Sequence, residues 1–102
     1  MGAGFLEKVY ENALFHELSK RGLRVVQQHP IQVWYDGIVV GNYCVDLVVE
    51  DEVIVELKVV KKIDDIHMAQ CLNYLKATRK RVCLLINIAQ PKVEIKRIVH
   101  DF

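Results

Sequence analysis

A mixed α/β domain, a central β-sheet flanked by helices, is the fold class that the sequence predicts. Three observations carry it. Apolar residues recur at three- and four-residue intervals over 4–21; strand-like apolar runs broken by turn residues fill 31–60; and a second capped helical stretch precedes two more strand-like runs. The order is helix, three strands, helix, two strands. With 102 residues, 52% of them hydrophobic, the chain fits a single domain over 1–102 with one core.

The first helix spans 4–21, with Phe5, Leu6, Val9, Tyr10, Ala13, Leu14 and Leu18 as its apolar stripe and Gly22 as its stop. Glu7 falls on or beside that stripe and therefore needs a partner, whereas Lys8 and Glu11 are expected to point outward. Strands over 31–35 and 38–49 flank Asp36-Gly37, a pair that accepts the positive φ angles of a tight primed turn. A second hairpin runs through Glu50-Asp51-Glu52 into 53–60. With a three-residue loop, Val49 faces Val53 and Asp46 faces Glu56; a two-residue loop puts Asp46 opposite Leu57 instead. Asp64 or Asp65 caps the second helix, which ends near Thr78 and carries Gln70 and Tyr74 on one face, with His67 close by. A buried strand over 82–88 is broken by Gln90-Pro91, and 93–99 alternates as a half-exposed strand.

The formal net charge of +1 conceals an asymmetry. Residues 1–57 carry 4 Lys/Arg against 9 Asp/Glu, and residues 58–102 carry 10 against 4. The basic clusters (Lys58, Lys61, Lys62; Lys76, Arg79, Lys80, Arg81; Lys92, Lys96, Arg97) form either a phosphate-neutralising stripe or a solvated face. Cys44, Cys71 and Cys83 are odd in number, lie in apolar surroundings and lack zinc spacing, so buried free thiols in a reducing, cytoplasmic setting are expected. There is no basic-then-apolar leader and no apolar run long enough to cross a bilayer, which disfavours secretion and membrane spanning. His16, His29 and His100 have no metal-like spacing.

Chemistry concentrates on two strands. In Val53-Ile54-Val55-Glu56-Leu57-Lys58, alternation commits Glu56 and Lys58 to one face, and Asp46 lies in a similar run, Tyr43-Cys44-Val45-Asp46-Leu47. Charges in apolar strands cost free energy unless they are paired or bound to a metal, so their convergence marks a site; an ordinary buried ion-pair network is the alternative.

Gly4-x-x-Glu7-x-x-Tyr10, Tyr43-x-x-Asp46, Glu56-Leu57-Lys58, Gln70-x-x-x-Tyr74-Leu75-Lys76 and Leu84-Leu85-Ile86-Asn87 together resemble the GxxExxY proteins, a branch of the PD-(D/E)xK nuclease superfamily, over essentially the whole chain. Val45 stands where the superfamily has its proline, and Ile88-Ala89 follows Asn87 where relatives carry Phe-Gly. The resemblance implies a restriction-endonuclease-like core and a Mg²⁺-dependent nuclease, a metal-dependent phosphodiesterase acting on DNA or RNA, with Mn²⁺ as a substitute ion. It further implies Asp46, Glu56 and the Leu57 backbone carbonyl as metal ligands, with Glu7 completing the shell and Lys58 orienting or deprotonating the attacking water. Gln70, Tyr74, Lys61, Lys62 and Lys76 are the implied substrate contacts, and resemblance to other small superfamily members points to a homodimer. The competing reading is a non-catalytic module that keeps the fold and binds nucleic acid or protein; an intact carboxylate pair, which repels phosphate, argues against it.

Overall fold

The computed structural model describes residues 3–89 and 91–101. Its elements follow the order α1 (Ala3–Lys20), β1 (Val25–Tyr35), β2 (Ile38–Val49), β3 (Val53–Lys58), α2 (Asp65–Thr78), β4 (Val82–Asn87) and β5 (Glu94–Val99). One five-stranded sheet runs β1-β2-β3-β4-β5, antiparallel throughout except for the β3–β4 pair, which is parallel because α2 carries the chain back between them. The mixed sheet with two helices is therefore the observed architecture. Among the described residues no helix is long and apolar enough to cross a membrane.

Local signals set most boundaries. α1 ends in a Schellman motif: Gly22 takes φ +87°, Leu23 N–H donates to the Leu18 carbonyl (3.1 Å) and Gly22 N–H to that of Ser19 (3.0 Å). Asp36 and Gly37, at φ +53° and +76°, join β1 to β2 through the Tyr35↔Ile38 pair. Val49 pairs with Val53, so the β2–β3 loop has three residues and Asp46 is carried towards Glu56 rather than towards Leu57. Gln90 lies outside the described residues, so the expected break is seen only on its flanks.

β1 differs from expectation. It starts at Val25, not at residue 31, and tolerates Pro30 because it is an edge strand with no partner on its outer side. The β1–β2 hairpin is also longer than β3, which pairs with β2 only over Leu47↔Val55, Val48↔Ile54 and Val49↔Val53. Beyond that point the hairpin continues as an arm that reaches α2, so Ile31 and Val45 join Ile54, Cys83, Leu85, Cys71, Tyr74 and Leu75 in one core cluster. Buried Leu47, Val55 and Leu57 stand outside that cluster and alternate to the other face. Cys71 and Cys83 are buried as expected; Cys44 is exposed, because it lies on the arm where β3 no longer covers β2.

Asn87, fully buried at the end of β4, ties the chain after β3 to the sheet. Its Oδ1 accepts from Val60 N–H (3.2 Å) and Ala89 N–H (3.2 Å), and its Nδ2 donates to the Val60 carbonyl (2.7 Å) and Glu94 Oε1 (3.2 Å). Asn87 pairs in register with Lys58, and Ile88 N–H donates to the Lys58 carbonyl (2.9 Å), so the lysine's backbone is clamped on the β4 side. Asn87→Leu would leave buried main-chain groups unpaired. We expect it to lower unfolding free energy by about 2–4 kcal/mol in chemical denaturation.

Candidate active site

Asp46 sits where two ladders are interrupted. Pairing between β1 and β2 passes from Gln27↔Leu47 to His29↔Val45, leaving Gln28 and Asp46 unpaired, and pairing between β2 and β3 stops at Leu47↔Val55. Side chains take over from main chain in the gap: Asp46 N–H donates to Glu56 Oε1 (2.8 Å) and Leu57 N–H donates to Asp46 Oδ2 (2.8 Å). The two carboxylates thus accept main-chain N–H groups where the β2–β3 ladder has ended. One oxygen of each is thereby fixed, and among the described residues Asp46 Oδ1 has only a long contact from Gln28 Nε2 (3.4 Å).

The electrostatics follow from burial and like charge. Glu56 is only 5% exposed, and burial, followed by the Asp46 charge, lifts its pKa to about 7 against the pull of the Asp46 N–H and of Lys58. Asp46 is also raised, first by burial and then by the charge of Glu11, while the Leu57 N–H, Gln28 and Lys58 oppose the rise. Lys58 is half-buried at the end of β3 and compensates both carboxylates at a distance, since among the described residues it makes no direct ion pair.

The helix carboxylate that dives into the structure is Glu11, not only Glu7. Glu11 is 3% exposed; its Oε2 accepts from Gln27 Nε2 (2.7 Å) and Lys8 Nζ (3.2 Å), and its Oε1 from Gln28 Nε2 (2.7 Å). This corrects the outward placement expected for Glu11. The inward line of α1 runs through Glu7, Glu11, Leu14 and Leu18, whereas Phe5, Val9 and Tyr10, which set the apparent apolar phase, are 54, 47 and 45% exposed. Glu7 is half-buried, and its charge reaches Glu56. The Glu11–Gln28–Asp46 chain was invisible in the sequence, because Gln28 reaches it only from a positive-φ break in β1 (φ +50°).

The other expected site residues divide. Tyr74 is 5% exposed beside the carboxylates, whose charges, added to burial, raise its hydroxyl well above the ordinary tyrosine range. Gln70 is half-buried one turn away, and neither residue hydrogen-bonds to Asp46 or Glu56 among the described residues. Lys61 and Lys62 are exposed just past Lys58. Lys76 is not brought to them: it is exposed in the last turn of α2, towards the Val53↔Val82 end of the sheet, because the helix runs back along β3. Lys80, in that same far cluster, is engaged with Asp51, donating to its carbonyl oxygen (2.9 Å) and its Oδ1 (3.0 Å). His67 serves as a cap. Its Nδ1 accepts from Asp64 N–H (3.1 Å) while Asp64 Oδ1 accepts from Ile66 and His67 N–H, so that nitrogen carries a lone pair and is no ion-pair partner for Asp64. Among the described residues no group of three or more His, Cys, Asp and Glu is arranged to hold a metal ion.

Glu56 supplies a pH signature. Its folded pKa of about 7 lies above the unfolded value of 4.5, so the folded chain keeps a proton that the unfolded chain gives up. That stabilising contribution is complete below pH 4.5 and is lost as pH rises to about 7. Glu56→Gln keeps an Oε1 acceptor for Asp46 N–H and removes the charge. In divalent-free buffer the variant should match the parent near pH 4 and exceed it near pH 8 by up to about 3 kcal/mol. Parallel urea melts at the two pH values check this; an equal gap at both would remove the charge of Glu56 as the cause.

Comparison with known proteins bears on this arrangement. A search of curated proteins finds no significant match. Among solved structures, an alkaline exonuclease (LHK-Exo) from Laribacter hongkongensis superposes with a TM-score of 0.68 at 16% identity, covering 99% of this chain and 60% of that one. LHK-Exo in complex with dAMP gives 0.66 at 16% identity, covering 92% and 55%. A third, SSO0001, gives 0.66 at 14% identity, covering 97% and 52%. The chain thus spans between half and three fifths of the length of these structures, and the likeness is one of fold. The family model described as PD-(D/E)XK nuclease superfamily matches residues 1–98, and the chain belongs to that superfamily.

Proposed function

We propose that this chain is a divalent-metal-dependent nuclease that hydrolyses phosphodiester bonds of DNA, with Mg²⁺ as the ion. The observation that carries the reading is the carboxylate pair in the ladder gap: each acid has one oxygen fixed by main chain, and their shared negative charge is only partly compensated. An unneeded pair of this kind would be a net liability.

The residues fit Mg²⁺. A strand residue projects its N–H and C=O to the same side, so the Leu57 N–H that meets Asp46 brings the Leu57 carbonyl to face the same gap. Asp46, Glu56 and that carbonyl would hold the ion, with waters filling the remaining positions, which is the sparse protein shell that Mg²⁺ accepts. Bound there, the ion would supply Lewis-acid neutralisation of the charge that grows on the phosphoryl oxygens. Lys58, held by the Asn87 clamp, orients the attacking water and offers a positive charge to the transition state. Glu7, half-buried and with its charge felt by Glu56, would complete the metal shell or hold a metal-bound water. Glu11 and Gln28 act through Asp46, fixing its carboxylate as positioning residues. The exonuclease identity of LHK-Exo and its complex with dAMP support a nucleic-acid substrate.

Calorimetric and thermal-shift titrations with Mg²⁺ should show binding and a rising Tm for the parent, because a ligand that binds only the folded state stabilises it. Both effects should vanish in Glu56→Gln along with cleavage of DNA substrates. Unchanged Mg²⁺ affinity in that variant would remove Glu56 from the ligand set.

Lys61 and Lys62 neutralise backbone phosphates at the Lys58 end of the sheet, whereas Lys76 stands apart. With Ca²⁺ in place of Mg²⁺ to hold off turnover, the Lys61→Ala/Lys62→Ala variant should flatten the plot of log affinity against log salt by about two units, and Lys76→Ala should leave it unchanged. Equal slopes in all three proteins would make Lys61 and Lys62 a solvated face.

A further inference from the structure

Next to the carboxylate pair, the arm and α2 enclose a cleft of about 390 Å³ that includes Val33, Tyr43, Ile66, Gln70, Asn73 and Tyr74. This lies within the size range of small-molecule sites, about 300–1,000 Å³. Resting on the nuclease reading above, we propose that the cleft receives one unstacked base of the strand whose phosphate lies at Asp46 and Glu56, so that the substrate is single-stranded or frayed DNA rather than intact duplex.

Four features of the cleft argue for a base. Among the described residues it has no charged side chain, although 26% of the chain is charged, so a phosphate has no counter-ion there and a neutral heterocycle meets no desolvated charge. Its walls combine aliphatic groups with two tyrosines whose rings stand 6.0 Å apart at 55°, Tyr43 being 47% exposed at the mouth. An exposed aromatic face of this kind stacks on any base. The amides of Gln70 and Asn73 present donors and acceptors together, the pattern that a base edge matches and a hydrocarbon does not.

Placement is the fourth feature. Tyr74 is a wall of the cleft and its hydroxyl feels the charges of Glu56 and Asp46, so the cleft lies within electrostatic reach of the carboxylates. A base is separated from its phosphate by a single sugar, which matches sites that adjoin. The position of Tyr43 is itself fixed by a glycine: a Cβ on Gly41 would meet the Tyr43 ring at 2.8 Å, so the ring lies along the strand where only glycine leaves room. A base paired within a duplex cannot enter such a cleft without leaving the stack, at a cost that is least for a strand already single or frayed.

The test uses the full chain in Ca²⁺ with short single-stranded DNA carrying 2-aminopurine, or an abasic sugar, at each position in turn, and the matching blunt duplex. We expect an emission change confined to one position, about tenfold weaker binding when that position is abasic, and weaker binding of the duplex than of the single strand. Ala69→Trp fills the cleft from an exposed helix position, and Asn73→Leu removes an amide while keeping its volume. Both should lose the emission change and the abasic discrimination while keeping the salt slope. If abasic and intact strands bind equally in the parent while the slope set by Lys61 and Lys62 persists, the base site is wrong and the nuclease reading stands. If no oligonucleotide binds at all, both fall.

Discussion

The exchange between Asp46 and Glu56 is the interaction on which the rest of the structure turns. An antiparallel pair ordinarily closes its ladder with carbonyls; here two carboxylates accept the N–H groups instead, and β2 and β3 part company at that point. The parting has two results at once. It keeps main-chain donors satisfied where the ladder ends, and it frees the β1–β2 arm to reach α2.

The same exchange stores unfavourable energy. Both acids have raised pKa values, because burial and then a neighbouring carboxylate (Asp46 for Glu56, Glu11 for Asp46) favour the neutral form, and Lys58 offsets this only from a distance. A fold that needed only stability would fill such a gap with aliphatic groups. Around the gap the chain spends hydrogen bonds on rigidity: Asn87 holds the segment beyond Lys58, and Glu11 gathers Gln27, Gln28 and Lys8 behind Asp46. A polar centre kept at a cost and braced on both sides is what a site for a cation and a phosphate requires.

Charge is sorted along the sheet as well. The basic residues, continuous in the sequence of the second half, are divided by the return path of α2. Lys61 and Lys62 stay with Lys58, while Arg79, Lys80 and Arg81 lie where Val53 pairs with Val82, with Lys80 bound to Asp51. The helix also turns its neutral, amide-bearing face to the arm, so the surface around the carboxylates is partly cationic and partly uncharged.

The sequence by itself determined the elements and the central acids. Period-2 apolar runs, Asp36-Gly37, the acidic turn Glu50-Asp51-Glu52 and a cap at Asp64 or Asp65 are local signals, read within a few residues of where they act, while the observed Val49↔Val53 pair chose the three-residue loop that carries Asp46 towards Glu56. Tertiary structure alone decided which face of α1 is buried, since Phe5, Val9 and Tyr10 are as apolar as the residues that pack and only the docked helix shows Glu11 inside. It decided that Gln28 stands behind Asp46 through a break in β1, that Lys76 lies far from the lysines it follows in sequence, and that Cys44 is exposed on the arm. Periodicity reports how far a side chain is turned about its own element. Which turned side chains meet depends on how elements dock, and docking is set by long-range packing that no local window contains.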